Sequence, residues 1–221
     1  MSVWAVLAAA GSGERLGADR PKAFVRLGDR PLLAESLERL DASEWVDAIV
    51  VVAPPGWEEP SIVLAEELAV GKVFECVAGG PTRAESVRNG VAQVGDDAAA
   101  ILVHDAARPL VSDEVVGRVV TALSEGWDAA VPGLVVADTI KRIERDRVVE
   151  TLPRAELRAV QTPQAFVAPV LREALVGDIA SASDCASLVE MRGGRVTVVE
   201  GDPRLLKVTD ASDLARVEAC L

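Results

Sequence analysis

Residues 8–17 read AAAGSGERLG, and Pro21-Lys22 stand just beyond them. Gly11 and Gly13 allow a sharp turn and a close approach of backbone to a ligand. Arg15 and Lys22 put two cations on the same loop. The apolar run before it, residues 3–7, reads as a buried strand. A strand ending in a small-residue loop that carries fixed cations is a place to hold phosphates. The third glycine falls at Gly17, so the spacing is GxGxxxG and not the GxGxxG of dinucleotide sites. No Gly-Lys-Ser/Thr follows, which separates it from a Walker A loop. Taken alone, a tight turn with a surface Arg and Lys would read the same way.

Four further segments carry reactive or charged groups. Residues 79–90, GGPTRAESVRNG, place two glycines before a helix start, where free N–H groups face whatever binds. Arg83 and Ser86 fall on its first turns. Residues 103–109, VHDAARP, put Asp105 just past a strand, at the carboxyl end where open α/β sheets gather their functional groups. Asp105 can ligate Mg²⁺ or accept from a sugar hydroxyl, and Arg108 can neutralise an anion. His104 is the only histidine. Beside a buried strand it reads as a structural hydrogen-bonder, and it is assigned no catalytic role. Arg154 with QTPQAF at 161–166, and LKVT at 206–209, complete the set. A surface arginine, a turn and a short strand explain these last two equally well one by one.

These residues need elements to position them. Apolar, β-branched runs recur at 3–7, 48–52, 73–77, 100–103, 129–131 and 196–199. Helical patterns lie between the early ones, at 31–40, 58–68, 82–94 and 112–123, with Pro31 at an N1-like position. Ser112-Asp113-Glu114 looks like a capped start with acids in the first turn. Alternating strands and helices predict βαβ units and a parallel sheet. Residues 134–152 break the rhythm. The halves 138–143 and 147–151 are polar and β-rich, with Glu144-Arg145-Asp146 at the turn. That pattern predicts a hairpin standing off the main sheet. A lone hairpin is marginal in water and needs a packing surface, a second subunit being one candidate. The tryptophans, Trp4, Trp45, Trp57 and Trp127, read as packing residues.

The chain has 221 residues, enough for one domain with an ordinary core. Its net charge of -12 disfavours nucleic acid and anionic membranes as partners, so cations for an anionic substrate must be concentrated locally. Cys76, Cys185 and Cys220 are far apart and form no CxxC pair, which predicts reduced thiols and a cytoplasmic protein. No apolar run is long enough to span a membrane, and the strand pattern at the N-terminus predicts no signal peptide.

In order, AAAGSGERLG with PKAF, GGPTRAESV, VHDAARP, ADTIKR, Arg154 with QTPQAF, SASDCASL and LLKVT resemble the 2-C-methyl-D-erythritol 4-phosphate cytidylyltransferase family of the non-mevalonate isoprenoid pathway. The likeness runs from residue 3 to about 215. It implies an α/β fold: a Rossmann-like, mostly parallel mixed sheet flanked by helices, in a single domain over 1–221. A β-hairpin arm at about 134–153 would reach across a homodimer. It implies transfer of CMP from CTP to 2-C-methyl-D-erythritol 4-phosphate, with Mg²⁺ required. Carried over by position, Ala9, Ala10, Gly11 and Gly13 would line the CTP site, and Arg15 and Lys22 would grip its phosphates. Gly80 and Ser86 would surround the cytosine. Asp105 would stand where nucleotide and substrate meet, as the one protein contact to a magnesium held mostly by CTP. Arg108, Thr139, Arg154, Thr162 and Ser183 would form the methylerythritol phosphate pocket, Thr139 and Arg154 coming from the partner subunit. Lys207 would lie near the reacting phosphates. Pro81 stands where the family often has an acid, Cys185 replaces a second acid, and Leu205-Leu206 occupy a stretch that often holds asparagine. A cytidylyltransferase for another alcohol phosphate, such as ribitol 5-phosphate, is the alternative. A sugar-phosphate or molybdopterin nucleotidyltransferase would not carry VHDAARP and TPQAF together. A non-catalytic nucleotide-binding regulator would not need Arg15, Lys22, Asp105 and Lys207.

Overall fold

The strand β1 (Val3–Ala8) is apolar throughout because both of its faces are covered. Val3, Ala5 and Leu7 enter one core cluster, while Trp4 and Val6 enter another on the opposite side. The computed structural model describes residues 1–17, 19–180 and 182–221. Ala18, in the glycine loop, and Ser181, the first residue of SASDCASL, lie outside the described residues.

The chain continues through a small hairpin, β2 (Arg26–Leu27) and β3 (Arg30–Pro31), into α1 (Leu32–Ala42). There follow β4 (Ala48–Ala53), α2 (Glu58–Glu67), β5 (Val73–Ala78), α3 (Arg83–Val91), β6 (Ala100–Asp105), α4 (Asp113–Ser124) and β7 (Ala129–Val135). Next come β8 (Ile140–Glu144), β9 (Arg147–Leu152), β10 (Arg158–Val160), β11 (Gln164–Val167), α5 (Ala168–Ala174), α6 (Cys185–Met191), β12 (Val196–Glu200) and α7 (Ala211–Glu218). The main sheet runs β10-β7-β11-β6-β1-β4-β5, and β12 pairs with β7. The pairs β1–β4, β1–β6, β4–β5 and β7–β12 are parallel, whereas β11 and β10 run antiparallel to their neighbours. Leu33, Leu37 and Leu40 of α1 pack on one face with Val115, Val116 and Val119 of α4. On the other, Val87 of α3 packs with Leu171 of α5 and Val189 of α6. The mostly parallel, helix-flanked sheet is the one the sequence leads one to expect.

The differences are local. Pro31 is the residue before α1 and not its first residue, because it adopts an extended conformation and pairs with Arg26 in the small hairpin. Periodicity missed β10 and β11. The first is three exposed residues, and the second is four residues opening on a buried glutamine. The 134–152 segment does form a hairpin. β8 and β9 pair antiparallel in a sheet of their own, turning at Arg145 with φ 53°. Apart from Ile140 and Leu152, every residue of the two strands is exposed.

Candidate active site

The carboxyl ends of β1, β4, β5 and β6 meet at one edge of the sheet. Backbone bonds stitch the loops that leave them. Ala9 N–H donates to Val52 O at 2.9 Å, Gly79 N–H to Ala53 O at 2.8 Å and Ala106 N–H to Ala8 O at 3.0 Å. Between these loops lies an open cleft of about 740 Å³. Ala9, Ala10, Gly11, Gly13, Arg15 and Lys22 of the first loop, Gly80 and Ser86 of the second, and Asp105 and Lys207 all line it. Ten residues chosen from sequence, separated by up to two hundred positions, therefore share one cavity.

Close approach explains the glycines. Lys22 N–H donates to Gly11 O at 3.2 Å and folds the loop back on itself. Gly13 sits at φ 76°, and a Cβ there would stand 3.0 Å from Lys22 Cβ. Only glycine adopts that conformation freely. A Cβ on Gly79 would lie 2.3 Å from Ala10 Cβ, so the two glycine-bearing loops are in contact across the cleft.

The helix α3 begins with a capping box. Thr82 Oγ1 accepts from Glu85 N–H, and the Glu85 carboxylate accepts from Thr82 N–H. This cap fixes the first turn facing the cleft. Ser86 Oγ accepts from Gly80 N–H at 3.0 Å and donates to Thr82 O at 2.9 Å, so Ser86 shapes the Gly79–Thr82 turn. Arg83, on the same turn, also lines the cleft, although its residue type and position alone gave it no role. Its Nε–H donates to Asp105 Oδ1 at 2.9 Å, and its Nη2 lies 2.8 Å from the same oxygen. Thr82-x-x-Glu85 directly after Gly79-Gly80 was the available signal. It marks a helix start that must point Arg83 or Ser86 at the strand ends.

Asp105 is the electrostatic hub. Lys207 Nζ donates to its second oxygen, Oδ2, at 2.6 Å. Burial works against the carboxylate's charge, but Arg83 and Lys207 outweigh it and hold the group well below the usual carboxylate range. Lys22 moves the other way. Burial, then the positive fields of Lys207 and Arg15, push its ammonium down to about 8. Among the described residues neither Arg15 nor Lys22 is ion-paired. The cleft is thus cationic on a strongly acidic body and is under-neutralised, as an anion site must be.

The residues expected from the resemblance to form the methylerythritol phosphate pocket are more scattered, and none of them lines this cleft. Arg108 Nη1–H donates to Leu205 O at 2.6 Å, and its buried Nε has no partner. Buried Leu205 thus has a packing role, and its carbonyl serves Arg108. Val208 N–H donates to Ala107 O at 2.8 Å, and this contact brings Lys207 to Asp105. Thr162 Oγ1 lies 3.1 Å from Asp105 N and 3.1 Å from His104 Nδ1. Ser183 is exposed, beside Asp184, whose carboxylate caps α6 at Ser187 N–H. Thr139 and Arg154 are exposed and lie outside the cleft of their own chain, with Arg154 donating to Ala137 O. Cys185 is buried next to Arg83, and burial pushes its thiol up to about 11, so it stays neutral there.

Among the described residues, no group of three or more His, Cys, Asp and Glu could hold a metal. Magnesium bound through substrate phosphates needs only one or two protein carboxylates. Arg83 places two N–H groups on Oδ1 of Asp105 and Lys207 one on Oδ2, so Oδ2 keeps a free lone pair, enough for a single contact to an ion carried mainly by a nucleotide.

A parallel-rich sheet with a glycine loop, and with Arg and Lys gathered round one carboxylate, defines a nucleotide-binding protein that handles phosphoryl groups. The profile of the family 2-C-methyl-D-erythritol 4-phosphate cytidylyltransferase matches residues 3–221. The enzyme of that name from Saccharopolyspora erythraea is 46% identical over 227 residues, covering 100% of both chains. That from Frankia casuarinae is 44% identical over 220 residues, covering 99% of this chain and 81% of its own. The crystal structure of the Thermus thermophilus enzyme superposes with a TM-score of 0.77 at 36% identity, covering 100% of this chain and 98% of that one. The chain belongs to the 2-C-methyl-D-erythritol 4-phosphate cytidylyltransferase family.

Proposed function

We infer that this protein transfers the cytidylyl group of CTP to the phosphate of 2-C-methyl-D-erythritol 4-phosphate, an isoprenoid precursor step. The products are 4-diphosphocytidyl-2-C-methyl-D-erythritol and pyrophosphate. The family match over residues 3–221 supports the substrates. The observation that carries the chemistry is the cleft in which Arg83 and Lys207 flank Asp105 while Arg15 and Lys22 remain unpaired among the described residues.

The nucleophile is a phosphate oxygen that is already anionic at neutral pH, so no general base is needed. No histidine or cysteine lines the cleft among the described residues to act as one, or as a nucleophile. The obstacle is repulsion between a phosphate monoester and a triphosphate, together with charge building on the α-phosphoryl oxygens. Arg15, Lys22 and Lys207 answer both. The new P–O bond forms at the α-phosphorus, the α–β bridging bond breaks, and pyrophosphate leaves with the electron pair. Asp105 would be the protein contact of a magnesium carried by CTP, which would supply further neutralisation of phosphoryl oxygens when bound. The reading is a single in-line displacement. A chiral α-thio-CTP should therefore give inversion, and retention would refute it. Pyrophosphate release from CTP, magnesium and 2-C-methyl-D-erythritol 4-phosphate is the primary assay, with ribitol 5-phosphate run beside it.

The working unit is proposed to be a homodimer, each copy one nucleotidyltransferase domain over 1–221 whose 134–153 arm reaches the other's cleft. Two observations support this. Thr139 and Arg154 stand outside their own cleft, and the arm exposes Ile143 and Val148 at 62% and 52%. Mixing Lys22→Ala with Arg154→Ala, at a methylerythritol phosphate concentration too low for the Arg154 variant alone to turn over, tests it, because a mixed dimer holds one intact site. Return of activity on mixing is the expected result, and none after proven subunit exchange would exclude shared sites. A cytoplasmic location is proposed from its water-borne phosphorylated substrates. Among the described residues, no helix is long and apolar enough to cross a membrane.

A further inference from the structure

The single histidine is fully buried beside the cleft, yet the chemistry above gives it nothing to do. Its two ring nitrogens make different contacts. Nε2 lies 3.0 Å from the carbonyl oxygen of Arg108, and Nδ1 lies 3.1 Å from the hydroxyl of Thr162. A carbonyl can only accept, so the proton is on Nε2. Nδ1 is then bare and must accept, which makes the Thr162 hydroxyl the donor. The same hydroxyl oxygen accepts from Asp105 N–H at 3.1 Å. The chain of bonds therefore runs Asp105 N–H to Thr162, Thr162 O–H to His104, and His104 Nε2–H to Arg108. It has one direction and no free proton.

We propose that His104 is a positioning residue that locks Asp105 and Arg108, the two ends of the Asp105–Arg108 turn, into one rigid unit through its Nε2–H tautomer. This rests on the function inferred above, because it assigns the turn's ends to the nucleotide side and the methylerythritol phosphate side of that reaction. Two facts support it beyond the bonds themselves. The turn is closed by Arg108 N–H donating to Asp105 O at 2.9 Å, so the brace and the turn share their end points. The ring is fully buried with both nitrogens already partnered, so flipping it or moving its proton would strand a buried polar atom. A consequence follows for Thr162. Its hydroxyl proton is held by His104 and is not offered to a substrate phosphate, so Thr162 serves the site by orienting Asp105.

The test uses the whole enzyme labelled with ¹⁵N, in which one imidazole gives an unobstructed spectrum because the chain has one histidine. A protonated Nε2 and a bare, hydrogen-bonded Nδ1 are expected from pH 6 to 9, unchanged when 2-C-methyl-D-erythritol 4-phosphate is added. A proton on Nδ1, or loss of the Thr162 bond on adding substrate, would overturn the proposal. Two variants divide the brace. His104→Asn keeps an acceptor for Thr162 and drops the donor to Arg108. It should raise KM for the methylerythritol phosphate about tenfold with kcat nearly kept. His104→Gln keeps a donor at the far end and drops the acceptor. It should lower kcat about tenfold, as should Thr162→Val, while Thr162→Ser restores it. Equal losses in both constants for both histidine variants would mean a purely structural residue and refute the division. Should the histidine variants fail to fold, the wild-type spectrum still decides. If wild-type enzyme releases no pyrophosphate, the functional reading fails on its own, independently of the imidazole result.

Discussion

Lys22 offers the sharpest quantitative test, because its ammonium sits near pH 8 where an ordinary lysine titrates near 10.5. Half of the free enzyme then carries the charge at pH 8, and one unit higher only about one molecule in eleven does. If the charged form alone grips the CTP phosphates, kcat/KM for CTP falls about tenfold between pH 7 and 9. Bound triphosphate supplies the counter-charge that the empty cleft lacks, so the limb in kcat should lie at higher pH than the limb in kcat/KM. Lys22→Arg keeps a cation that does not titrate and should erase the alkaline limb, whatever it does to the absolute rate. Stability gives an independent reading of the same group. Its folded pKa lies below its unfolded one, so the unfolded chain binds more protons between about pH 8 and 10.5, and stability contributed by this group rises with pH across that window. Stabilisation of the protein by CTP should accordingly grow as pH falls toward 8. A wild-type kcat/KM that stays flat to pH 9.5, or a Lys22→Arg enzyme with the same limb as wild type, would refute the reasoning.

Gly79→Ala should lower stability by about 1–3 kcal/mol in urea titrations, since its new methyl must displace Ala10 in the first glycine loop, and KM for CTP should rise with it if that loop holds the nucleotide as proposed. Arg83→Gln leaves Asp105 with Lys207 as its one ion-pair partner among the described residues, so Lys207 is held back from the phosphates and kcat should fall more than KM for CTP changes; unchanged steady-state constants would remove Arg83 from the site. Arg154→Ala should chiefly raise KM for 2-C-methyl-D-erythritol 4-phosphate, and an enzyme with both constants intact would show that the arm does not supply it. A thiol reagent should titrate one cysteine in the native protein, the exposed Cys220, and three after denaturation, because Cys76 and Cys185 are buried with thiols pushed up to about 11; a rapid second thiol would contradict that burial.

The convergence of the glycine loops and Asp105 on one cleft was legible in the sequence because each piece is local. The AAAGSGERLG loop, the glycines before α3 and Asp105 all follow apolar runs directly, and a strand end places whatever comes next. The protruding hairpin was legible for a similar reason, since its polar, β-rich halves and turn are contiguous. Contacts made across the chain were not. Arg83 pairs with a carboxylate 22 residues away, and neither residue type nor spacing announces it. Thr162 stands in a recognisable motif, yet its hydroxyl turns toward His104, 58 residues earlier, and no local pattern encodes that direction. β11 escaped periodicity because it lies in mid-sheet between β6 and β7, so its short run shows no alternation of buried and exposed positions. Its antiparallel entry is a tertiary outcome.

The 2.6 Å contact between Lys207 and Asp105 joins residues 102 positions apart. Closing so long a loop is entropically costly and kinetically slow, so such contacts form after the local βα units have condensed. Catalysis therefore reports on long-range closure, which helix content does not see. In mild denaturant turnover should vanish while the circular dichroism of the helices persists, and during refolding activity should lag behind recovered helicity.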